Sequence, residues 1–202
     1  LRFIGFMTKK KAKLKKEEKP VEQIKEENKI NINATLIGER VIADETTDTK
    51  SLYDQSRFGE LKEGKIQYSL VEALYLLEKE KMEIVDVDNK KVDYDIFIKK
   101  ASKIEPNFWV RYVVFRDMRS RGYIIKTALK FGADFRVYDR GIKPGEDHAK
   151  WVLYPVHESS VFTWTEFAAK NRVSHSTRKK LLLAVVDDEN DVSFWETRWL
   201  RP

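Results

Sequence analysis

At 202 residues and 42% hydrophobic content, the chain can bury one large core or two smaller ones, which excludes disorder over most of its length. It lacks cysteine, its three histidines match no local zinc spacing, and no apolar run reaches the roughly 18–20 residues of a membrane span. We therefore expect a cytoplasmic protein with no membrane segment, structural metal or cofactor, whose net charge of +6 favours an anionic partner.

The first 29 residues carry ten Lys and Arg against five Glu, a net charge of +5. Residues 8–29 are a low-complexity Lys/Glu segment with almost nothing apolar to bury, so we expect residues 1–29 to form a basic, flexible tail. Met7 is followed at once by a lysine run and resembles a natural start. This leaves open whether residues 1–6 belong to the native chain.

Residues 30–102 carry eleven basic against fifteen acidic side chains, a net charge of −4, and predict a small N-terminal α/β domain. β-Branched residues alternate around Gly38, which indicates two strands joined by a turn. A loop with a short helix follows over residues 46–64. Ser69 and Glu72 have the spacing of a capping box ahead of an apolar helix, and a strand begins at Met82.

Pro106 stops the preceding helix and indicates a boundary, so we assign residues 103–202 to a C-terminal domain. This part carries eighteen basic against thirteen acidic side chains, a net charge of +5. We therefore expect a polyanion to bind this half. The alternative is that charged residues are distributed along the chain by chance. Asn107 is predicted to cap a helix that ends at Gly122. Three strands, a helix capped by Thr163 and a hairpin around residues 187–191 follow. The predicted class is α/β (α+β), with a mixed sheet flanked by helices in the C-terminal domain.

Three titratable side chains lie at the ends of predicted strands, where reactive groups tend to be displayed. Tyr138 is near the end of DFRVYDR, His148 precedes KWVLYPV, and Lys179 lies between the second helix and KKLLLAVVD. Singly, each has an ordinary explanation: a surface tyrosine, a solvated loop histidine, a lysine that serves solubility. The three could share one site, although their spacing alone does not establish it.

Four segments resemble, in order, the catalytic domain of archaeal tRNA-splicing endonucleases: DFRVYDRG, HAKWVLYPV, NRVSHSTRKKLLLAVVD and WETRWLRP. The resemblance covers residues 107–202, and YSLVEALYLLEKEKMEI resembles a helix of the N-terminal domain of that family with less specificity. It implies a metal-independent nuclease that cleaves precursor tRNA at the bulge-helix-bulge junctions of introns and exons. The expected products carry a 2′,3′-cyclic phosphate and a 5′-OH.

The resemblance implies that Tyr138, His148 and Lys179 are the catalytic residues. An imidazole, with a reference pKa near 6.5, can protonate the departing 5′ oxygen, and a lysine can stabilise the charge that develops on the phosphate. A phenol is a weak base at neutral pH, so Tyr138 either is activated by Lys179 or only orients the 2′-OH. The family interval favours Lys179 over Lys180. The other two histidines, His157 and His175, are expected to be structural.

The resemblance also implies residues that bind RNA. Arg172 and a planar partner near the C terminus, Trp199 or, one register away, Arg198, would hold an extruded base by stacking. An ordinary core or interface aromatic is the alternative for Trp199. Further candidate phosphate contacts, around the loop between Tyr138 and His148, are Arg140, Lys143 and Lys150.

Assembly is implied as well, because the family works as four units with two active sites. We expect a homotetramer, with a heterotetramer that includes a structural subunit as the alternative. Family tetramers insert an acidic loop of one subunit into a basic cleft of another, and a hairpin turn with no such role is the alternative here. The acidic residues concerned are Asp187, Asp188, Glu189 and Asp191. Two rival functions stay open: a non-catalytic subunit of the same enzyme, and an RNA-binding module without nuclease activity.

Overall fold

A computed structural model describes residues 31–128, 132–145 and 147–198. The predicted tail over residues 1–29 and the predicted base-binding residue Trp199 lie outside these ranges. Within them, no helix is both long and apolar enough to cross a membrane. The strands are β1 (Ile32–Ile37), β2 (Arg40–Asp44), β3 (Glu60–Lys62), β4 (Lys65–Tyr68), β5 (Met82–Val85), β6 (Ile124–Thr127), β7 (Phe135–Tyr138), β8 (Trp151–His157), β9 (Lys180–Val186) and β10 (Val192–Thr197). The helices are α1 (Thr47–Ser56), α2 (Leu70–Glu78), α3 (Tyr94–Ile104), α4 (Phe108–Ser120) and α5 (Trp164–Ser176).

The N-terminal half forms a five-stranded mixed sheet in the order β3-β4-β2-β1-β5. β1 and β2 pair antiparallel, with Gly38 at positive φ in the turn between them, as the alternation around this glycine predicts. β5 pairs parallel with β1. The hairpin of β3 and β4 was not predicted: its turn places Glu63 and Gly64 at positive φ, and all three residues of β3 are exposed. A strand without a buried face has no hydrophobic alternation to reveal it.

The C-terminal half forms a second mixed sheet in the order β10-β9-β8-β7-β6. β8 and β9 are parallel and are joined through α5, whereas the other neighbours are antiparallel. The cap of α5 is as predicted, since the Thr163 hydroxyl accepts from the backbone N–H of Glu166 while the Glu166 carboxylate accepts from that of Thr163. The predicted mixed sheet flanked by helices is therefore confirmed, as is the α/β class.

Helix α4 packs on the C-terminal sheet and against helices α2 and α3 of the N-terminal half. Phe108, Tyr112 and Phe115 are buried in one core that contains residues from strands of both sheets. The helix ends as predicted, with Gly122 at φ +84° directly after its last turn. The predicted cap at its start is wrong in its mechanism. Asn107 occupies the cap position in the left-handed conformation, and its side chain makes no capping hydrogen bond.

A buried ion pair joins the two halves beside α4. The ammonium nitrogen of Lys126, on β6, lies 2.7 Å from a carboxylate oxygen of Glu72, on α2. This ammonium also donates to the carbonyls of Arg57 and Gly59. Gly59 is required here, because its φ is +74° and a Cβ atom would lie 2.4 Å from Ile66. The N-terminal segment that precedes β3 is thereby tied to the edge strand of the C-terminal sheet.

Candidate active site

The register of the C-terminal sheet brings three chain segments to one edge. Val137 of β7 pairs with Trp151 of β8, which pairs with Lys180 of β9. One residue further along this edge, β7 ends at Tyr138, and Lys179 directly precedes β9. The loop that carries His148 enters β8 at the same edge. Tyr138, His148 and Lys179 therefore line a single cavity of about 370 Å³. The structure thus brings together the three residues that the sequence pattern singled out.

Tyr138 is the most buried of the three, with 4% of its surface exposed. It is on the face of β7 that also carries Arg136, whose guanidinium carbon lies 5.9 Å from the centroid of the Tyr138 ring. The alternative explanation for Tyr138 was an ordinary surface tyrosine. The side chain is instead almost fully buried and forms part of the cavity wall.

His148 is exposed at the mouth of the cavity. Its backbone N–H donates to the Asp147 carboxylate at 2.6 Å, which shapes the loop immediately before β8. The other two histidines do not line this cavity. His157 lies at the opposite end of β8 and pairs with Asp188 at 3.2 Å, and His175 is on α5.

Lys179 and Lys180 differ clearly in their surroundings. The Lys179 ammonium lines the cavity and donates to the carbonyl of Thr177 at 2.9 Å. The Lys180 ammonium lies 3.0 Å from the carboxylate of Glu196 on β10. Glu196 also accepts from the Trp151 indole, and this hydrogen bond, with those from Lys180 and Arg198, lowers the pKa of its carboxyl to about 2. Of the two lysines, only Lys179 is available to the cavity.

Arg172 and one of its two predicted partners, Arg198, lie at a second cavity, of about 730 Å³, between α5 and the end of β10. Arg172 and Arg198 both line it, together with Phe167 and His175. Arg172 is exposed, whereas the Arg198 guanidinium contacts Glu196 at 2.9 Å. His175, expected to be structural, is exposed on the wall of this cavity.

The three predicted phosphate contacts lie outside the catalytic cavity. Lys150 pairs with Asp139 at 2.5 Å, and this hydrogen bond lowers the pKa of the Asp139 carboxyl. The Arg140 guanidinium lies 4.8 Å from the centroid of the Tyr123 ring. Lys143 lines a groove between the two halves of the molecule.

The acidic segment 187–191 forms the predicted turn between β9 and β10. The Asp187 carboxylate accepts the backbone N–H of Asp191 at 2.8 Å, so it stabilises the turn itself. The Trp109 indole donates to Asn190 at 2.6 Å and attaches the turn to α4. Asp188, Glu189 and Asp191 are exposed.

Sequence reasoning missed Arg136, which lines the catalytic cavity beside Tyr138. The available signal was strand alternation, since residues two apart on a strand share a face. Among the described residues, no group of three or more His, Asp or Glu side chains is arranged to hold a metal ion.

Comparisons with known proteins agree with this architecture. Residues 108–194 match the family described as tRNA intron endonuclease, catalytic C-terminal domain, and residues 32–98 match its N-terminal domain. A protein named tRNA-splicing endonuclease from Nanoarchaeum equitans is 48% identical over 139 residues, covering 66% of this chain and 88% of that protein. Relatives of the same name from Thermococcus onnurineus and Methanothermobacter thermautotrophicus are each 36% identical, over 84% and 82% of this chain and 97% and 96% of their own length. The resemblance found in the sequence is confirmed: the chain belongs to the tRNA intron endonuclease family, and its C-terminal half is the catalytic domain of that enzyme family.

Proposed function

We propose that this chain cleaves precursor tRNA at bulge-helix-bulge junctions of introns and exons, by attack of a ribose 2′-OH on the adjacent phosphate. The observation that carries the proposal is the single cavity lined by Tyr138, His148 and Lys179. The side chains of these lining residues carry a hydroxyl, an imidazole and an ammonium, which are the groups that this transesterification requires.

In the proposed step, the 2′ oxygen bonds to phosphorus while its proton passes to a phenolate of Tyr138 or, with Tyr138 only orienting the 2′-OH, to water. The bond between phosphorus and the 5′ oxygen breaks, and His148 donates a proton to that oxygen as it leaves. The products are a 2′,3′-cyclic phosphate and a 5′-OH. His148 is suited to this role because it is exposed at the mouth of the cavity, within reach of a bound RNA strand.

Lys179 would stabilise the charge that builds on the phosphate oxygens. An ammonium group has three N–H donors, and in the described structure Lys179 uses one of them on the Thr177 carbonyl. The other two remain for a phosphate, whose negative charge increases in the transition state.

The larger cavity on α5 is the proposed site for a base extruded from the bulge. Arg172 and a planar partner, Trp199 or, one register away, Arg198, would hold the base by stacking. Arg172 and Arg198 line this cavity, and Trp199 lies outside the described residues. Arg140, Lys143 and Lys150 would contact phosphates away from the cleaved bond, as their positions around the catalytic loop suggest.

For assembly, we propose a homotetramer in which the acidic turn at residues 187–191 binds a groove of a second copy; a heterotetramer is the alternative. The groove lies between the two halves of the molecule and has a volume of about 490 Å³. The charged residues that line it in the described part of the chain are all basic: Lys79, Lys81, Arg119 and Lys143. Opposite charges of this kind favour association of the two surfaces.

The assembly proposal is tested by replacing Asp188, Glu189 and Asp191 with neutral residues. Asp187 is kept, because its carboxylate stabilises the turn. Light scattering should show a tetramer dissociating into dimers or monomers. An unchanged mass would leave residues 187–191 as an ordinary turn.

The cleavage proposal is tested by incubating the purified chain with a bulge-helix-bulge RNA in excess EDTA. Cleavage should persist, and end-group analysis should identify the cyclic phosphate and the 5′-OH. Loss of cleavage that magnesium restores would contradict the mechanism. Binding without any cleavage would favour an RNA-binding role for this chain.

A further inference from the structure

Arg136 lies between the catalytic cavity and a smaller cavity beside it. It shares the face of β7 with Tyr138, and both line the catalytic cavity. Arg136 also lines an adjoining cavity of about 280 Å³, whose other charged lining residues are Arg57, Glu60, Lys62 and Lys126. Arg136 therefore lies on the side of the catalytic cavity that faces the N-terminal half.

The charge of Arg136 is uncompensated among the described residues. Arg121 pairs with Asp117 at 2.6 Å and Lys126 pairs with Glu72 at 2.7 Å, but no described carboxylate lies within ion-pair distance of Arg136. The side chain is half-buried, and its Nε atom is screened from solvent without a hydrogen-bond partner. Partial burial of an unpaired cation costs free energy, which a bound anion would recover.

The charges that face the catalytic cavity favour a phosphate as this anion. Arg136 and Lys179 are cations, and among the described residues of the lining the one acidic side chain, Asp147, accepts the backbone N–H of His148. The planar guanidinium presents its N–H donors in a fixed geometry, which suits it to orient a phosphate oxygen. The Tyr138 ring, on which this cation packs, would limit its movement.

We infer that Arg136 binds a non-bridging oxygen of the scissile phosphate and shares with Lys179 the charge that develops there. This inference rests on the proposed cleavage site. It assigns the two cations different roles, since the planar guanidinium of Arg136 orients the phosphate whereas the ammonium of Lys179 acts as a point charge. Because the phosphate gains negative charge in the transition state, loss of Arg136 lowers the cleavage rate more than RNA affinity.

The test is single-turnover cleavage of a bulge-helix-bulge RNA by the assembled enzyme. Arg136→Ala should cleave about 10²–10³-fold more slowly, in the range found for removal of one donor to a developing anion. Arg136→Lys should recover only part of the rate, since it restores the charge without the planar guanidinium. Arg121→Ala is the matched control, because its guanidinium pairs with Asp117 and does not line the cavity; it should retain the wild-type rate.

Phosphorothioate substrates separate a phosphate contact from a structural role. Sulfur at the non-bridging position that Arg136 contacts should slow the wild-type enzyme more than sulfur at the other position. Arg136→Ala should reduce this difference between the two diastereomers. If the variant slows both diastereomers by the same factor, or if its defect is a change of assembly mass, the inference is overturned. Should Arg136→Ala fail to fold, the same comparison in Arg136→Lys decides.

His148→Ala is measured in parallel so that the two proposals fail separately. If His148→Ala cleaves at the wild-type rate, the proposed cleavage site itself is wrong. If His148→Ala is slow while Arg136→Ala matches the wild type, only the role of Arg136 is overturned.

Discussion

Two lysines of the C-terminal half, Lys126 at the joint between the halves and Lys179 at the cavity, occupy opposite situations. Lys126 is 6% exposed and donates to three oxygens: Glu72 at 2.7 Å, the Gly59 carbonyl at 2.9 Å and the Arg57 carbonyl at 3.0 Å. Lys179 is half-buried and donates to the Thr177 carbonyl at 2.9 Å. One ammonium has used all three of its donors within the protein, and the other has used one.

The difference separates a structural cation from one that can act on a substrate. A saturated, buried ammonium holds its acceptors together, and here these belong to the N-terminal half while Lys126 itself lies on β6. Removing such a group leaves buried acceptors unpaired, including a charged one. Removing Lys179 exposes little that was not already accessible, so its loss should affect function more than stability.

The largest effect is expected at the cavity, for His148→Ala. Loss of the acid that protonates the leaving oxygen should slow the chemical step by about 10²–10⁴-fold while RNA affinity barely changes. Single-turnover rates and a binding titration measure both quantities. His157→Ala is the matched control, since His157 lies at the far end of β8, and should retain most activity.

A substrate with a 5′-thio leaving group sharpens this test. A thiolate departs without a proton, so the modified RNA should partly rescue His148→Ala. Lys179→Ala should be rescued less, because that residue is proposed to stabilise charge on the phosphate. Equal rescue of both variants would show that the acid is wrongly assigned.

The second effect concerns stability and is expected for Lys126→Ala. Removing one partner of a buried ion pair should lower the free energy of unfolding by about 3–5 kcal/mol. Lys179→Ala should change it by less than about 0.5 kcal/mol, as is usual for substitutions outside a packed network. Urea unfolding at neutral pH measures both, and equal losses for the two variants would remove the distinction between the lysines.

A third, smaller effect is expected in the pH dependence of stability. Burial alone would raise the pKa of the Glu72 carboxyl, but Lys126, with the hydrogen bonds from Lys126 and Ser69, holds this pKa below its ordinary value. A depressed pKa contributes stability that is present above the unfolded value, about 4.3, and is lost as the pH falls through the folded value. The stability difference between the wild type and Glu72→Gln should therefore shrink as the pH falls below about 4. A difference between the urea midpoints of the wild type and Glu72→Gln that stays constant from pH 7 to acidic pH would contradict this.

The smallest effect is expected for Lys180→Ala. Its ammonium pairs with Glu196 at a partly exposed position, and exposed ion pairs contribute about 0–1 kcal/mol. Cleavage should stay within a few-fold of wild type, in contrast to Lys179→Ala. A severe loss of activity with a normal fold would indicate that the adjacent lysine had been misassigned.

Much of the local structure was accessible from the sequence because it depends on neighbouring residues. The strands around Gly38, the capped helix after Thr163 and the end of α4 at Gly122 follow from hydrophobic alternation, side-chain capping and positive φ. The β3–β4 hairpin escaped prediction because it has no buried face in β3 and only one glycine in its turn.

The sequence by itself determined the family, the order of the elements in the C-terminal half, and the three side chains whose chemistry suits RNA cleavage. Only the tertiary structure decided that Tyr138, His148 and Lys179 line one cavity and that Arg136 lines it as well. It also decided that Lys126 forms a buried ion pair with Glu72. It further showed that the Lys150 ammonium pairs with the Asp139 carboxylate. The physical reason is that strand register and the pairing of buried charges arise from contacts between residues far apart in the chain. A local pattern can identify a reactive side chain, but its partners depend on which strands lie beside it.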